Sequence, residues 1–408
     1  MPQNRRPKAE LRGTRGSCMR VLLSTYGSRG DVEPMLGLAG QLRALGAQVR
    51  VCAPPNFAER VAEVGVELVP VGNSARTLAT GQAADLFAGQ FDAVSAVTEA
   101  AAGCDALVAT GMIPAAAGVR SAAEKLGIGY VYATFQQLML PSPHQPPLLY
   151  PGRPYPPERA DAQSINAMFS EALNTHRASI GLVPVDDVRD YVRDDVIGNR
   201  PWLATDPILD PWQATPDLDV VQTGAWILPD ERPLPADLEA FLDAGTPPVY
   251  VGFGSMPMGG SPDVAGVAIE AIRAHGRRSV VARGWADLTL TDDGDDCIGV
   301  GEVNHQALFA RAAAVVHHGG AGTTTTAAMA GTPQVVVPQA ADQPYWAGRV
   351  AELGIGAAHH GPTPTFESLS DALETALSAE TGARAGAVAA TIRADGARVA
   401  AKLVLDAS

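Results

Sequence analysis

Short β-branched runs alternate along the chain with longer segments whose apolar positions recur at helical spacing. Val21–Ser24, Val49–Cys52, Glu67–Val69, Ala106–Ala109 and Tyr130–Tyr132 read as strands. A second series follows at Val249–Gly252, Ser279–Ala282, Ile298–Val300, Ala314–Val316 and Gln334–Val337. Between the first two strands, Met35, Leu36, Leu38, Ala39, Leu42 and Leu45 fit one face of a helix over Glu33–Gly46, with Gly46 as its stop. Strands that are apolar throughout are buried on both faces. With helices between them, they predict parallel, doubly wound α/β sheets.

Two stretches break this pattern. Residues 140–160 hold Pro141, Pro143, Pro146, Pro147, Pro151, Pro154, Pro156 and Pro157 with Tyr150 and Tyr155, which excludes a central strand or a helix interior. They read as a long loop on a first domain. The Pro-, Asp- and Trp-rich segment from Trp202 to Asp219 reads as a linker. The expected organisation is an extension at 1–18, a first domain at 19–205, a linker at 206–225, a second domain at 226–385 and a final helix at 386–408. Ligands of such sheets bind at the carboxyl ends of the strands, so the cleft between the domains is the expected site.

Composition narrows the function. A chain of 408 residues can bury two full cores without a disulfide or metal staple. With 30 Lys+Arg against 44 Asp+Glu the net charge is −14, which lacks the basic footprint of a nucleic-acid binder. No apolar run approaches the ~18 residues of a membrane span. Cys18, Cys52, Cys104 and Cys297 are scattered, which argues against a zinc cluster or disulfide framework and for a reducing, cytoplasmic setting. Residues 1–18 are basic and lack the apolar core of a secretory signal, so Met19, opening the first strand, is taken as the functional start.

Four motifs carry candidate chemistry. The first is His317-His318-Gly319-Gly320-Ala321-Gly322-Thr323, between a strand and a helix. Small residues admit a ligand to the backbone, and the helix start presents unpaired N–H groups, which suits an anion and most simply a diphosphate. Neither a P-loop nor a dinucleotide fingerprint is present. The second is Asp342-Gln343 before Pro344, where acceptor and amide groups suit sugar hydroxyls, or where the Asp merely caps a helix. The third is Gly27-Ser28-Arg29-Gly30-Asp31 after the first strand, with Asp31 readable as a helix-start charge or as a general base facing the cleft. The fourth is Val251-Gly252-Phe253-Gly254-Ser255-Met256, either a plain turn or a second approach to phosphate.

In this order the motifs resemble the glycopeptide-antibiotic glycosyltransferases of the GT-B fold, the family that glycosylates vancomycin- and teicoplanin-type heptapeptides. Met19-Arg-Val-Leu-Leu-Ser-Thr, Ala62-Glu-Val-Gly-Val-Glu-Leu-Val-Pro-Val-Gly72 and Ala341-Asp-Gln-Pro-Tyr-Trp-Ala-Gly-Arg-Val350 belong to the same resemblance, which covers about 19–408. It implies two Rossmann-like domains facing across a cleft. It also implies inverting transfer from a UDP- or dTDP-sugar to a hydroxyl of a peptide aglycone, with no cofactor or metal, by a monomer. Asp31 then corresponds to the general base, with Ser28, Arg29 and Gly30 in its loop. Ser255, His317, His318, Gly319, Gly320, Gly322 and Thr323 correspond to the diphosphate cradle, Asp342 and Gln343 to the sugar contacts, and Val303 to a neighbour of the base. The acidic run Asp292, Asp293, Asp295 and Asp296 is read as a solvated loop. Other readings are transfer to a macrolide- or polyketide-like acceptor, a nucleotide-sugar epimerase of the same fold, and a binding protein with a decayed site.

Overall fold

The computed structural model describes residues 18–73, 96–144, 162–254, 264–284 and 294–407. Thirteen strands form two sheets among these residues. The first sheet contains β1 (Arg20–Ser24), β2 (Gln48–Ala53), β3 (Glu67–Pro70), β4 (Ala106–Ala109), β5 (Gly129–Thr134), β6 (Trp202–Leu203) and β7 (Val221–Gln222), in the order β3-β2-β1-β4-β5-β6-β7. The second contains β8 (Val249–Gly252), β9 (Ser279–Ala282), β10 (Cys297–Val300), β11 (Ala314–His317), β12 (Gln334–Val336) and β13 (Gly356–Ala358), in the order β10-β9-β8-β11-β12-β13. Adjacent strands within each sheet are parallel.

The apolar runs explain this. Leu22, Leu23, Val51, Leu107, Val251, Val281 and Val316 are fully buried, as strands covered on both faces require. The strand order reverses direction between β1 and β4 in one sheet and between β8 and β11 in the other. Such switch points open a crevice at the carboxyl ends of the strands. The turns after β1, β8 and β11 lie there, and they carry the Ser28, Gly254 and His318 motifs.

The helix expected over Glu33–Gly46 runs from Arg29 to Ala44, with Gly46 beyond its end at φ +92°. It begins earlier because Ser28 and Asp31 form a capping box: the Ser28 side chain caps the helix, while its backbone N–H donates to Asp31. Two further boundaries differ from expectation. Val221 and Gln222, placed in the linker, pair with Trp202 and Leu203, so the chain leaves the first sheet only after Gln222. The single final helix is two, Ala379–Ala389 and Gly396–Asp406. The last helix packs Ala397, Ala400, Ala401 and Val404 into the core of the first sheet. The Pro-rich loop is described only as far as His144, and most of it lies outside the described residues.

Candidate active site

In the second domain, β11 ends at His317 and the helix Ala321–Met329 starts after a turn of three residues. Gly320 caps this helix without any side-chain hydrogen bond, so its first N–H groups stay available to a ligand. Gly319 has φ +90°, and a Cβ there would stand 2.6 Å from Val336 Cγ1. Gly254 and Gly320 flank the His318 ring: a Cβ on Gly254 would meet Cε1 at 3.1 Å, and one on Gly320 would meet Nε2 at 2.6 Å. His318 Nδ1 is buried without a hydrogen-bond partner. Burial pushes the His318 pKa down to about 4, so the ring is neutral at pH 7 and has one N–H to give. Thr324 and Thr326 turn their hydroxyls back onto the Gly320 and Gly322 carbonyls at 3.0 and 2.9 Å. Gly322 is exposed, and nothing lies within 4 Å of a Cβ placed on it. Beside it, Thr323 is only partly buried.

His317 does not belong to this surface. It is fully buried; its Nδ1 accepts from the Gly319 N–H at 3.1 Å and its Nε2 donates to Gln334 Oε1 at 2.9 Å. Both ring nitrogens are used inside the protein, and burial lowers its pKa to about 3. His317 therefore shapes the turn instead of meeting a ligand with its side chain. Val303, expected beside the base, has its side chain buried with Tyr250, Leu308 and Phe309. Ser255 lies outside the described residues.

Asp342 and Gln343 follow β12 at the start of the helix Gln343–Glu352. Asp342 occupies the cap position but makes no capping bond; Trp346 Nε1 donates to its Oδ2 at 2.8 Å instead. Gln343 Oε1 accepts from the N–H groups of Gln339 and Ala340, at 2.6 and 3.0 Å, which ties down the preceding loop. Ala341 between them is held at φ +54°, the one non-glycine residue with positive φ among the described residues. Sequence gave no sign of this, since such positions usually carry Gly or Asn.

From the first domain comes Asp31. Its Oδ2 accepts from the Ser28 N–H at 2.9 Å, so the helix-cap reading holds. Gly30 N–H in turn donates to Ser28 Oγ at 3.3 Å. Burial, opposed by the Ser28 N–H and reinforced by the negative charge of Asp342, raises the Asp31 pKa to about 6. Asp31 and Asp342, on different domains, thus lie near enough for one charge to act on the other. Burial raises Asp342 too. Arg29 bridges the domains beside them, with Nη1 2.7 Å from Glu302 and Nη2 3.1 Å from Glu33. Glu302 is a contact that the sequence did not single out; a lone acid in a loop carries no pattern. Among the described residues no three His, Cys, Asp or Glu side chains are grouped as a metal site requires. Asp296 of the acidic run pairs with Arg273, while Asp292 and Asp293 lie outside the described residues.

Two family models match separate parts of the chain. Residues 21–137 match the glycosyltransferase family 28 N-terminal domain, and residues 291–401 match the erythromycin biosynthesis protein CIII-like C-terminal domain. The chain is 58% identical to the vancomycin aglycone glucosyltransferase of Amycolatopsis orientalis, over 95% of this chain and 98% of that protein. It is 53% identical to the dTDP-epi-vancosaminyltransferase of the same organism, over 91% and 93%. Among solved structures, the glycotransferase of kitacinnamycin superposes with a TM-score of 0.71 at 22% identity, over 96% of this chain and 99% of that one, a likeness of fold.

Proposed function

The chain belongs to the glycopeptide-antibiotic glycosyltransferases of the GT-B fold, and from that premise we propose that it moves a sugar from UDP or dTDP to a hydroxyl of a heptapeptide aglycone, with inversion and without a metal. The observation that carries this reading is that Asp31 of the first domain is buried within reach of the charge of Asp342 of the second, which raises its pKa to about 6. Asp31 takes the proton of the acceptor hydroxyl as that oxygen attacks the anomeric carbon. The bond from that carbon to the diphosphate breaks, and its electron pair leaves with the phosphate. The open N–H groups at 320–323 and the neutral His318 meet the growing charge, as preorganised donors do. Asp342 and the amide N–H groups of Gln343 hold the sugar hydroxyls. An Asp31 pKa near 6 suits a base that works at neutral pH.

The relatives support the acceptor class: one is named for the vancomycin aglycone and the other for an epi-vancosaminyl group on dTDP. No helix of the described residues is long and apolar enough to cross a membrane, and the four cysteines are free. The test is incubation with UDP- and dTDP-sugars and vancomycin- and teicoplanin-type aglycones, read by mass spectrometry with and without chelator. The expected product is a peptide one sugar heavier, formed equally with chelator. Turnover of the donor alone into an epimer, or transfer only to a polyketide, would replace this reading.

A further inference from the structure

Helix Gln343–Glu352 carries Asp342 and Gln343 at its start, and its next turn grips the loop between β6 and β7 of the first sheet. Tyr345 donates its hydroxyl to Asp210 Oδ1 at 2.6 Å. One turn on, Arg349 donates from Nε to the Leu209 carbonyl at 2.9 Å and from Nη2 to the Ile208 carbonyl at 3.0 Å. Leu209 is buried in the same cluster as Trp346, Ala347 and Val350. Trp346 in turn holds Asp342 by its indole N–H. The first domain reaches the same point: Gln137, fully buried in the turn after β5, donates from Nε2 to both Asp210 Oδ1 and the Tyr345 hydroxyl. Asp210 is itself fully buried, and its other oxygen, Oδ2, has no hydrogen-bond partner.

One carboxyl oxygen, in the loop between β6 and β7, is therefore the meeting point of the first domain and the sugar-side helix. A buried carboxylate is a poor way to gain stability, since an apolar group of similar volume usually does as well. What a carboxylate does well is accept several donors in fixed directions. We propose that Asp210, with Gln137 and Tyr345, is a positioning residue that fixes Asp342 and Gln343 relative to the first domain and so places the donor sugar against Asp31. This rests on the reading of Asp342 and Gln343 as sugar contacts. The diphosphate turn at 318–323 opens a different helix, Ala321–Met329, and touches the sugar-side helix at Gly319 and Gln343 and not at Tyr345 or Asp210.

The experiment compares Asp210→Ala, Asp210→Asn, Tyr345→Phe and the double variant Asp210→Ala/Tyr345→Phe with the parent. Affinity for UDP and dTDP is measured by calorimetry, kcat and KM by transfer to the aglycone, and folding by thermal denaturation. A misplacement of about 1 Å costs up to about a hundredfold in rate. The expected result is a fall in kcat of about tenfold or more for Asp210→Ala and Tyr345→Phe, with diphosphate affinity unchanged within about twofold. Asp210→Asn, which keeps an acceptor oxygen, recovers most of the rate, and the double variant is no slower than Asp210→Ala. Parent-like kcat in Tyr345→Phe overturns the proposal, as does a parallel loss of kcat, diphosphate affinity and folded fraction. Tyr345→Phe removes one hydroxyl only, so it decides the matter should Asp210→Ala fail to fold. Absence of diphosphate binding by the parent would instead remove the functional reading on which the proposal stands.

Discussion

In the function proposed, Asp31 does two jobs that the sequence presented as alternatives. Its carboxylate closes the capping box with Ser28, and the same burial that makes room for that bond raises its pKa to about 6. Asp31→Asn keeps an oxygen for the Ser28 N–H but cannot take a proton. General acid–base catalysis is worth 10²–10⁴-fold, so kcat is expected to fall by about that factor with the fold intact. For the parent, log kcat/KM should fall below about pH 6 as Asp31 is protonated, provided that the acceptor does not titrate there. Stability moves the other way. The folded pKa lies above the unfolded value, so the native state holds the proton more tightly. Stability from this group is complete below about pH 4 and is lost as pH rises through about 6. Asp31→Asn should therefore be more stable than the parent at pH 7, on the order of 1 kcal/mol once partial exposure to the cleft is discounted. Urea melts of both proteins at pH 4.5 and 7.5 check this: the gap should open at the higher pH, and a gap independent of pH would show that Asp31 is not desolvated. The two histidines show what a sequence withholds at this scale. His317 and His318 are neighbours, yet the chain turns between them. One ring goes into the core against Gln334 and the other stays beside the open turn. Nothing in a His-His pair says which is which.

The elements that position the site were legible where a single physical pattern decides them. Apolar runs placed β1, β2, β4, β8 and β11, and the glycine-rich turn before a threonine-rich helix stands where the motif put it. β13 was not legible, because Gly356-Ala-Ala has no strand-forming side chain. It pairs because Gly356 lies so near the Gln334 backbone that a Cβ would stand 2.0 Å from its carbonyl oxygen. β7 was hidden by its shortness. The glycines of the turn separate the structural from the functional requirement for a small residue. Gly319→Ala forces a side chain onto φ +90° and into Val336, so it should destabilise by roughly 1–3 kcal/mol. Gly322→Ala meets nothing and lies inside the helix Ala321–Met329, where alanine is favoured by about 0.5–1 kcal/mol. It should raise the melting temperature while weakening UDP or dTDP binding, because the methyl occupies the space a phosphate oxygen would approach. Calorimetric titration beside a thermal melt distinguishes the outcomes. A variant that is more stable and binds as the parent does would take Gly322 out of the cradle.

At the scale of the molecule the two halves are stitched together more than their sequences suggest. Arg29 pairs with Glu302 across the cleft, Gln137 and Tyr345 share Asp210, and Gly224 and Gly396 lie in backbone contact, so that a Cβ on Gly396 would stand 2.3 Å from the Gly224 carbonyl carbon. The last of these explains the break before the final helix. At Gly396 the chain crosses back and lays Ala397, Ala400, Ala401 and Val404 on the helix Arg29–Ala44 and the sheet beneath it. The final helix was visible in the sequence, but its partner was not, since an apolar stripe names no acceptor face. The helix that carries Asp31 in its first turn thus depends for part of its packing on the far end of the chain. Six buried side-chain carbons at about 0.8 kcal/mol each come to roughly 5 kcal/mol. Truncation after Asp395 should therefore destabilise the first domain, although the deleted residues follow the second in sequence. With about 2–4 °C per kcal/mol for domains of this size, the first-domain transition should drop by on the order of 10 °C in scanning calorimetry. UDP or dTDP, bound by the second domain, should still raise the remaining transition. A loss confined to the nucleotide-stabilised transition would mean that the final helix supports the second domain instead, and that its packing on the first carries little of the fold's free energy.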